Sequence, residues 1–228
     1  MNLKALFILI LFVLILFLVI YRKVQDKKLL MTVTKSHRGT RTERLMVLKL
    51  LKSGFHHQTI FHDLYIKKAG NQYCQIDLVV ATKVGIIVFE IKKYNGWIFG
   101  YASQNYWTQV LAYGREKYRF YNPILQNKKH IEDLRKQLPQ FQNVPFYSVI
   151  VFFGNCSFRN LDYVPNNTFL VKSSRAIKVI KEILEQNEQV KYANKREIVD
   201  LLISASLNGD NDKIKETHVE NIKRYFGR

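Results

Sequence analysis

The sequence contains little cysteine and no recognisable set of ligands for a structural metal. Its 228 residues include two cysteines, Cys74 and Cys156. They do not form a CxxC pair, and no histidine accompanies them at the spacing of a zinc site. Isolated cysteines are typical of a reducing compartment, so the pattern argues against a disulfide framework and against a structural zinc.

Acidic residues are also scarce. The chain has 18 Asp and Glu against 36 Lys and Arg, a formal net charge of +18. From residue 29 onward it still carries 31 basic and 17 acidic side chains, so the excess is not confined to the N-terminal segment. An excess of this size favours a polyanionic partner, and nucleic acid is the first candidate. The alternative is a basic protein that rests on an anionic membrane leaflet.

The stretch from Ala5 to Tyr21 has no charge, no glycine and no proline. As a helix it would span about 26 Å, close to the thickness of a bilayer core. A signal peptide is the alternative, but the run is long for one and no Ala-x-Ala site follows. We therefore predict a single-pass anchor in the cell membrane. One basic residue precedes the run and four follow it closely, which predicts a cytoplasmic body: Lys4, then Arg22, Lys23, Lys27 and Lys28.

The remaining chain shows no internal repeat, and its patterns predict an α/β fold. Three strands separated by short turns indicate an antiparallel meander, and one later, continuously apolar run suits a central buried strand. The predicted strands are 59–66, 73–81, 85–92, 145–153 and 169–171, with short strands or ordered loops between 94 and 121. The predicted helices are 40–52, 122–138, 174–186, 194–206 and 212–226.

These elements predict four regions along the chain. They are a transmembrane anchor (1–21), a basic juxtamembrane linker (22–38), an α/β core (39–172) and a helical C-terminal region (173–228). In this interpretation the core is a mixed central sheet flanked by helices. The last two helices form a small appendage, with solvated faces as the default for their charges.

The most informative local pattern joins two of the predicted strands. Asp77 lies in the second, and Glu90 and Lys92 lie two residues apart at the end of the third. A strand sends alternate side chains to one face, so Glu90 and Lys92 share a face with Val88. Buried charges are rare unless they are paired or bind a metal. The alternative is an ordinary edge salt bridge, worth less than about 1 kcal/mol.

Glu43 supplies a further acidic side chain. In the predicted helix 40–52 it shares the apolar stripe with Val47 and Leu51. A glutamate on that stripe needs a partner or a metal. The alternative is that Glu43 lies at the margin of the stripe in the first helical turn, where the helix dipole favours an acid.

These landmarks, in this order, resemble the nuclease-related domain (NERD) family of the PD-(D/E)xK nuclease-like superfamily. The similarity covers about residues 38–138, less than half of the chain. Gln75-Ile76-Asp77 matches the family pattern, whereas the turn before Glu43 lacks the second glycine and Tyr94 stands where tryptophan is common. The landmarks are Glu43, Asp77, Glu90, Lys92, Trp107, Asn122-Pro123 and Gln126.

The resemblance implies a restriction-endonuclease-like core and a Mg²⁺- or Mn²⁺-dependent nuclease acting on DNA. Asp77, Glu90 and the carbonyl of Ile91 would bind the metal, and Glu43 would complete the shell directly or through water. Lys92 would orient the attacking water and stabilise the charge that develops on the phosphate.

The resemblance also places Gln126 near the site. One turn further on, His130 could touch phosphate, although a Gln–His pair on a helix face is more often surface. Aromatic residues between 97 and 121, among them Trp107, alternate with cations such as Arg119. They either stack on unpaired bases or, more often in proteins, form core.

Two other function classes remain open on the sequence. The first is a non-catalytic module that binds or tethers nucleic acid at the cytoplasmic membrane face. The second is a regulatory protein whose C-terminal helices bind a partner. Intact Glu43, Asp77, Glu90 and Lys92 favour the nuclease.

Overall fold

The structure is a computed structural model that describes residues 2–139, 143–161, 164–192 and 194–226. Within them six α-helices and nine strands follow one another along the chain. The helices are α1 (Leu3–Leu30), α2 (Arg41–Lys52), α3 (Pro123–Gln137), α4 (Ala176–Gln186), α5 (Lys195–Asn208) and α6 (Asp212–Phe226). The strands are β1 (Ile60–Lys68), β2 (Gln72–Thr82), β3 (Gly85–Lys93), β4 (Gly96–Phe99), β5 (Tyr106–Leu111), β6 (Glu116–Tyr121), β7 (Phe146–Phe153), β8 (Cys156–Arg159) and β9 (Thr168–Lys172).

Five strands form the central sheet in the order β1-β2-β3-β7-β9. The predicted meander is confirmed, because β1, β2 and β3 pair antiparallel. Strand β7 lies parallel to β3, and β9 lies parallel to β7. All eight residues of β7 are buried, as expected for a continuously apolar strand in the middle of a sheet. The predicted mixed sheet flanked by helices is therefore confirmed.

Helices cover both faces of this sheet because β3 is apolar on both sides. Ile87 and Phe89 pack in one core with side chains of α2 and α4. Ile86 and Val88 pack in a second core with side chains of α3 and α5. The two-residue alternation along β3, visible in the sequence, thus assigns each side chain to its core.

The aromatic-rich stretch after β3 forms a second sheet in the order β6-β5-β4-β8. A third core lies beneath it, where the fully buried Trp107 packs with Ile98 and Phe152. Strand β8 follows β7 and pairs parallel with β4. The second sheet therefore begins at the same end of the central sheet at which Glu90 and Lys92 lie.

Helix α1 is long and apolar enough to cross a membrane, with a mean hydropathy of 3.3 over its most apolar window. It contains no buried residue. It continues to Leu30, through much of the predicted linker. There its polar end packs on α2, and Asp26 Oδ1 lies 2.6 Å from Lys52 Nζ. Because Leu30 packs on the first core and Arg38 is buried, the C-terminal part of the predicted linker belongs to the folded body.

The three predicted C-terminal helices are present, but α5 is not part of a separate appendage. Its Leu202 is fully buried in the second core. Asn208 Nδ2 donates a hydrogen bond to the carbonyl of Tyr65 in β1 (2.9 Å). The sequence predicted a helix here, but it did not show that the helix would pack on β1.

Adjacent residues of α5 test this packing. We expect Leu202→Ala to lower the free energy of unfolding by about 2–5 kcal/mol, because it removes a fully buried side chain. Ile203 is 44% exposed, and Ile203→Ala should cost less than about 1 kcal/mol. Thermal unfolding of the full chain in detergent provides the measurement. Equal, small effects of the two substitutions would contradict the packing of α5.

Candidate active site

The candidate site lies where β2 and β3 separate. Their backbone pairing ends with Leu78 opposite Phe89, one position before Asp77 would face Glu90. Beyond that point the N–H of Ile91 donates to Asp77 Oδ2 at 2.7 Å. Where the backbone pairing of the two strands has ended, the carboxylate of Asp77 therefore accepts a hydrogen bond from the β3 backbone.

Glu90 and Lys92 form a close pair at the end of β3. Lys92 Nζ lies 2.7 Å from Glu90 Oε1. The same ammonium donates to Gln126 Oε1 on α3 at 3.0 Å. Glu90 is almost fully buried, whereas 22% of the Lys92 side chain is exposed. The pair is therefore not an exposed edge salt bridge, and solvent reaches the site from the lysine side.

His130 also touches Glu90. Its Nε2 lies 3.2 Å from Glu90 Oε2 and its Nδ1 lies 3.0 Å from Cys74 Sγ. The expectation that His130 lies on the surface is therefore wrong: the ring is buried and contacts Cys74 of β2 and Glu90 of β3. Burial alone would lower the pKa of His130, but Cys74 and Glu90 outweigh it and raise the pKa to about 10. His130 thus holds the carboxylate of Glu90 from the side opposite Lys92.

Glu43 approaches the sheet from α2 and is buried. Thr40, the N-cap residue of α2, donates to Glu43 Oε1 at 2.6 Å. Glu43 Oε2 lies 3.4 Å from Nε2 of the buried His62. Burial raises the pKa of Glu43, but His62 and Thr40 outweigh it and lower the pKa. The described direct contacts of Glu43 are therefore with Thr40 and His62 rather than with Asp77 or Glu90.

Gly39 explains how Glu43 comes so close to His62. Its φ is +57°, and a β-carbon at this position would collide with Glu43 Oε2 and with the His62 ring. A glycine is required here both by the backbone conformation and by the space. The first glycine of the pattern around Glu43 therefore has a direct packing role.

A buried polar network beside the site was missed by the sequence analysis. Asp63 has a φ of +55°, and its carboxylate accepts hydrogen bonds from Gln75 Nε2 at 2.8 Å and from Arg38 Nε at 3.4 Å. The pairing of β1 with β2 skips Asp63 opposite Asp77. A His-Asp pair inside the apolar run of β1 was the available signal, because buried polar residues require partners. Gln75 of the Gln-Ile-Asp pattern thus has a structural partner.

Asp77 is the carboxyl group of the site whose negative charge would be least offset by its neighbours. Its pKa is raised well above the usual aspartate value by burial, and then by the nearby negative charges of Glu90 and Glu43. The Ile91 N–H and Lys92 oppose this shift but do not cancel it. For Glu90, burial also raises the pKa, but Lys92 and His130 outweigh it and lower the pKa. A cation beside Asp77 would favour the ionised form of its carboxyl group.

The donor atoms fit a hard divalent cation. Over the described residues no three His, Cys, Asp or Glu side chains are grouped as a ready-made metal site. However, Mg²⁺ usually takes one or two carboxylates and completes its shell with water and substrate phosphates. Asp77 and Glu90 supply such a pair. Within the described part of the chain, Glu90 Oε2 and Glu43 Oε2 are buried oxygens without a well-aligned hydrogen bond, and each has a histidine Nε2 nearby, at 3.2 Å and 3.4 Å.

The residues predicted to contact nucleic acid differ in accessibility. Trp107 is fully buried and donates from Nε1 to the carbonyl of Tyr101 at 3.0 Å. Its ring is therefore core and cannot stack on a base. Gln126 binds Lys92, and Arg119 lies on an exposed surface over the ring of Tyr106.

Comparison with known proteins identifies the family. The family model described as the nuclease-related domain (NERD) matches residues 38–153, about half of the chain. The chain belongs to the nuclease-related domain family. The matched NERD region begins at the buried Arg38 and ends with β7, so it contains the central sheet strands β1, β2, β3 and β7 and every residue of the candidate site.

One curated relative is an uncharacterized protein of Bacillus anthracis, 31% identical over 137 residues. The alignment covers 58% of this chain and 63% of the relative, less than two thirds of that protein's length. No solved structure matches the chain significantly. The family match therefore indicates a nuclease-related function for the NERD domain.

Two glycines with positive φ test the packing around Glu43. In Gly39→Ala the new methyl group collides with Glu43 and His62, so we expect a loss of at least about 2 kcal/mol in unfolding free energy. Gly54 has φ +92° and no atom within 4 Å of the added carbon. Gly54→Ala should therefore cost only backbone strain, about 1 kcal/mol. Thermal unfolding compares the two, and equal losses would show that Gly39 is not packed as described.

Proposed function

We propose that this NERD protein is a membrane-anchored nuclease that uses Mg²⁺ or Mn²⁺ to hydrolyse phosphodiester bonds of DNA. The observation that carries the proposal is geometric: Asp77 accepts the N–H of Ile91 at 2.7 Å, beside the Glu90–Lys92 pair. The raised pKa of Asp77, caused by burial and by the charges of Glu90 and Glu43, agrees with this placement. Asp77 is partly buried and lies near the buried Glu43 and Glu90, so ionising all three is costly unless a cation neutralises part of their charge. A divalent cation is the simplest neutralising group for such oxygen donors.

Asp77 and Glu90 would hold this cation, together with the carbonyl of Ile91, and Glu43 would act directly or through water. The bound cation would lower the pKa of water and neutralise charge on the phosphate. Glu90 is positioned for this role because Lys92 and His130 contact its two oxygens. Asp77 is positioned by the N–H of Ile91.

Lys92 would act on the reacting phosphate. Its ammonium is held between Glu90 and Gln126, and part of its side chain is exposed. Burial lowers the pKa of Lys92, but Glu90 outweighs it, and the net shift is upward. Lys92 therefore stays charged, which suits an ammonium that orients the attacking water and stabilises negative charge in the transition state. A positively charged Lys92 does not suit a general base.

The alternative is a NERD module that binds nucleic acid without cleaving it. The observation that favours it is that Glu90 is already contacted by Lys92 and His130 and Asp77 by a backbone N–H. Such a site is partly neutralised from within. The net charge of +18 would support binding in either case.

Purified full-length protein in detergent, incubated with supercoiled and linear DNA, distinguishes the two. We expect cleavage with Mg²⁺ and none with EDTA. Asp77→Asn, Glu90→Gln and Lys92→Met should each lower the rate at least about a hundredfold. The first two remove carboxylates that would hold the cation, and the third removes the ammonium that would stabilise the transition state. Gel electrophoresis of the products measures the rate.

An acid–lysine pair on α4 provides the matched control. Glu182 and Lys178 lie 3.7 Å apart on the surface, and Glu182→Gln or Lys178→Met should leave the rate unchanged. Cleavage in EDTA, or equal cleavage by the Asp77 variant purified in the same way, would contradict the proposal. Salt-sensitive retardation of DNA without cleavage would support the binding module.

The membrane anchor is a further part of the proposal. The apolar part of α1 has no buried side chain, and basic residues lie at the C-terminal end of the helix, which favours a cytoplasmic body. We expect the full chain to stay with membranes after an alkaline carbonate wash. Protease added outside intact cells should leave the body uncut.

Val13→Arg with Phe17→Arg should move the protein to the soluble fraction, because each arginine costs about 3 kcal/mol at the centre of a membrane helix. A wild-type protein extracted by carbonate would show that α1 is not an anchor.

A further inference from the structure

The outer face of the second sheet combines aromatic rings with cations. Alternation along its strands sends Ile98, Trp107, Phe120 and Phe158 inward to the third core. The alternate residues form the outer face: Trp97, Phe99, Tyr106, Thr108, Val110, Lys117, Arg119, Tyr121, Ser157 and Arg159. Trp97 is 37% exposed and Tyr106 is 43% exposed. Solvent therefore reaches two large aromatic side chains on one sheet face.

Arginines lie over both rings. Arg119 Cζ is 4.9 Å from the ring centre of Tyr106, and Arg159 Cζ is 5.8 Å from that of Trp97. Lys117 adds a third exposed cation. The four strands contain one acid, Glu116. By alternation it belongs to the opposite face, where its carboxylate accepts a hydrogen bond from the Tyr118 hydroxyl. The outer face thus carries three positive charges and no negative charge.

We propose that this outer face binds single-stranded nucleic acid. Unpaired bases would stack on Trp97 and Tyr106 or on the guanidinium planes above them, and Arg119, Arg159 and Lys117 would contact phosphates. Proteins that bind single strands combine these two features, aromatic stacking platforms and a basic track for the backbone. Stacking on a protein ring requires a free base face, which an intact duplex does not offer.

The composition of the face favours this occupant over a bilayer. Its aliphatic side chain, Val110, is buried. The outer face therefore has no exposed aliphatic group to enter a membrane, whereas its rings and cations match the two parts of a nucleotide.

The outer face connects to the candidate active site through short stretches of chain. Tyr94, two residues after Lys92, packs its ring 4.3 Å from that of Phe120 on the inner side of the sheet. Strand β6 leads directly into α3, which carries Gln126. Under the proposed nuclease function, a strand held on the outer face is the substrate supplied to Lys92. Binding itself does not depend on that function.

Binding measured in EDTA separates this inference from catalysis. The probes are a fluorescent dT oligonucleotide, an rU oligonucleotide of the same length, and a duplex, each of about 15 nucleotides or base pairs, the upper range of a single-strand site. The protein is the full chain in detergent, and fluorescence anisotropy gives the affinity. We expect tighter binding of the single strands than of the duplex.

Two pairs of substitutions test the two features of the face. Trp97→Leu with Tyr106→Leu should weaken single-strand binding at least about thirtyfold, because two stacking contacts are lost. Arg119→Ala with Arg159→Ala should reduce the slope of log affinity against log salt by about 1.4, because two phosphate contacts are lost. Tyr106→Phe keeps the ring and should retain wild-type affinity.

Lys178→Ala with Lys181→Ala removes the same charge from the surface of α4 and is the matched control, expected to leave the single-strand preference unchanged. The inference would be overturned if Trp97→Leu with Tyr106→Leu left single-strand affinity unchanged, or if it weakened duplex binding by the same factor. Single-strand binding that depends on Trp97 and Tyr106, without Mg²⁺-dependent cleavage, would retain the inference and reject the nuclease. Mg²⁺-dependent cleavage, together with single-strand binding that the ring variant leaves unchanged, would reject the inference and retain the nuclease.

Discussion

The separation of β2 from β3 at Asp77 is the constraint on which the candidate site depends. If pairing continued past Leu78 and Phe89, the N–H of Ile91 would have no reason to bond the carboxylate of Asp77. The neighbouring strand β1 is irregular at the same level, where Asp63 adopts a positive φ and is held by Arg38 and Gln75. Phe61 and Leu64, three residues apart, consequently face the same core. Regular strand pairing is thus interrupted at the end of the sheet where the acidic side chains lie.

The three acidic side chains of the site have unequal numbers of compensating partners. Glu90 has Lys92 and His130, and Glu43 has His62 and Thr40, so burial of these two acids is offset by close partners. Asp77 has one backbone N–H and two like charges nearby. Because burial and nearby negative charge both oppose ionisation of Asp77, a cation at this position would stabilise its carboxylate. The second sheet begins beside this site and adds a cationic, aromatic face without an acid.

Several features of this arrangement followed from local patterns. Alternation along β3 correctly placed Glu90 and Lys92 on one face, and unbroken apolarity correctly predicted β7 as a buried strand. These predictions succeed because the period of a strand and the length of an apolar run are set by neighbouring residues. The expectation of a surface position for His130 was wrong, because its burial depends on Cys74, 56 residues away along the chain. Burial of Trp107 likewise depends on Phe152.

The amino-acid sequence by itself determined the apolar N-terminal helix, the meander, the basic character and the acid–lysine pair. Each depends on residues close in the chain. Only the tertiary structure decided that α5 packs on β1, that His62 and Asp63 join the site, and that Trp97 and Tyr106 share an open face with Arg119 and Arg159. The physical reason is that burial and charge compensation are set by whichever distant elements pack together. A local pattern can show that a polar residue needs a partner, but not which partner the fold provides.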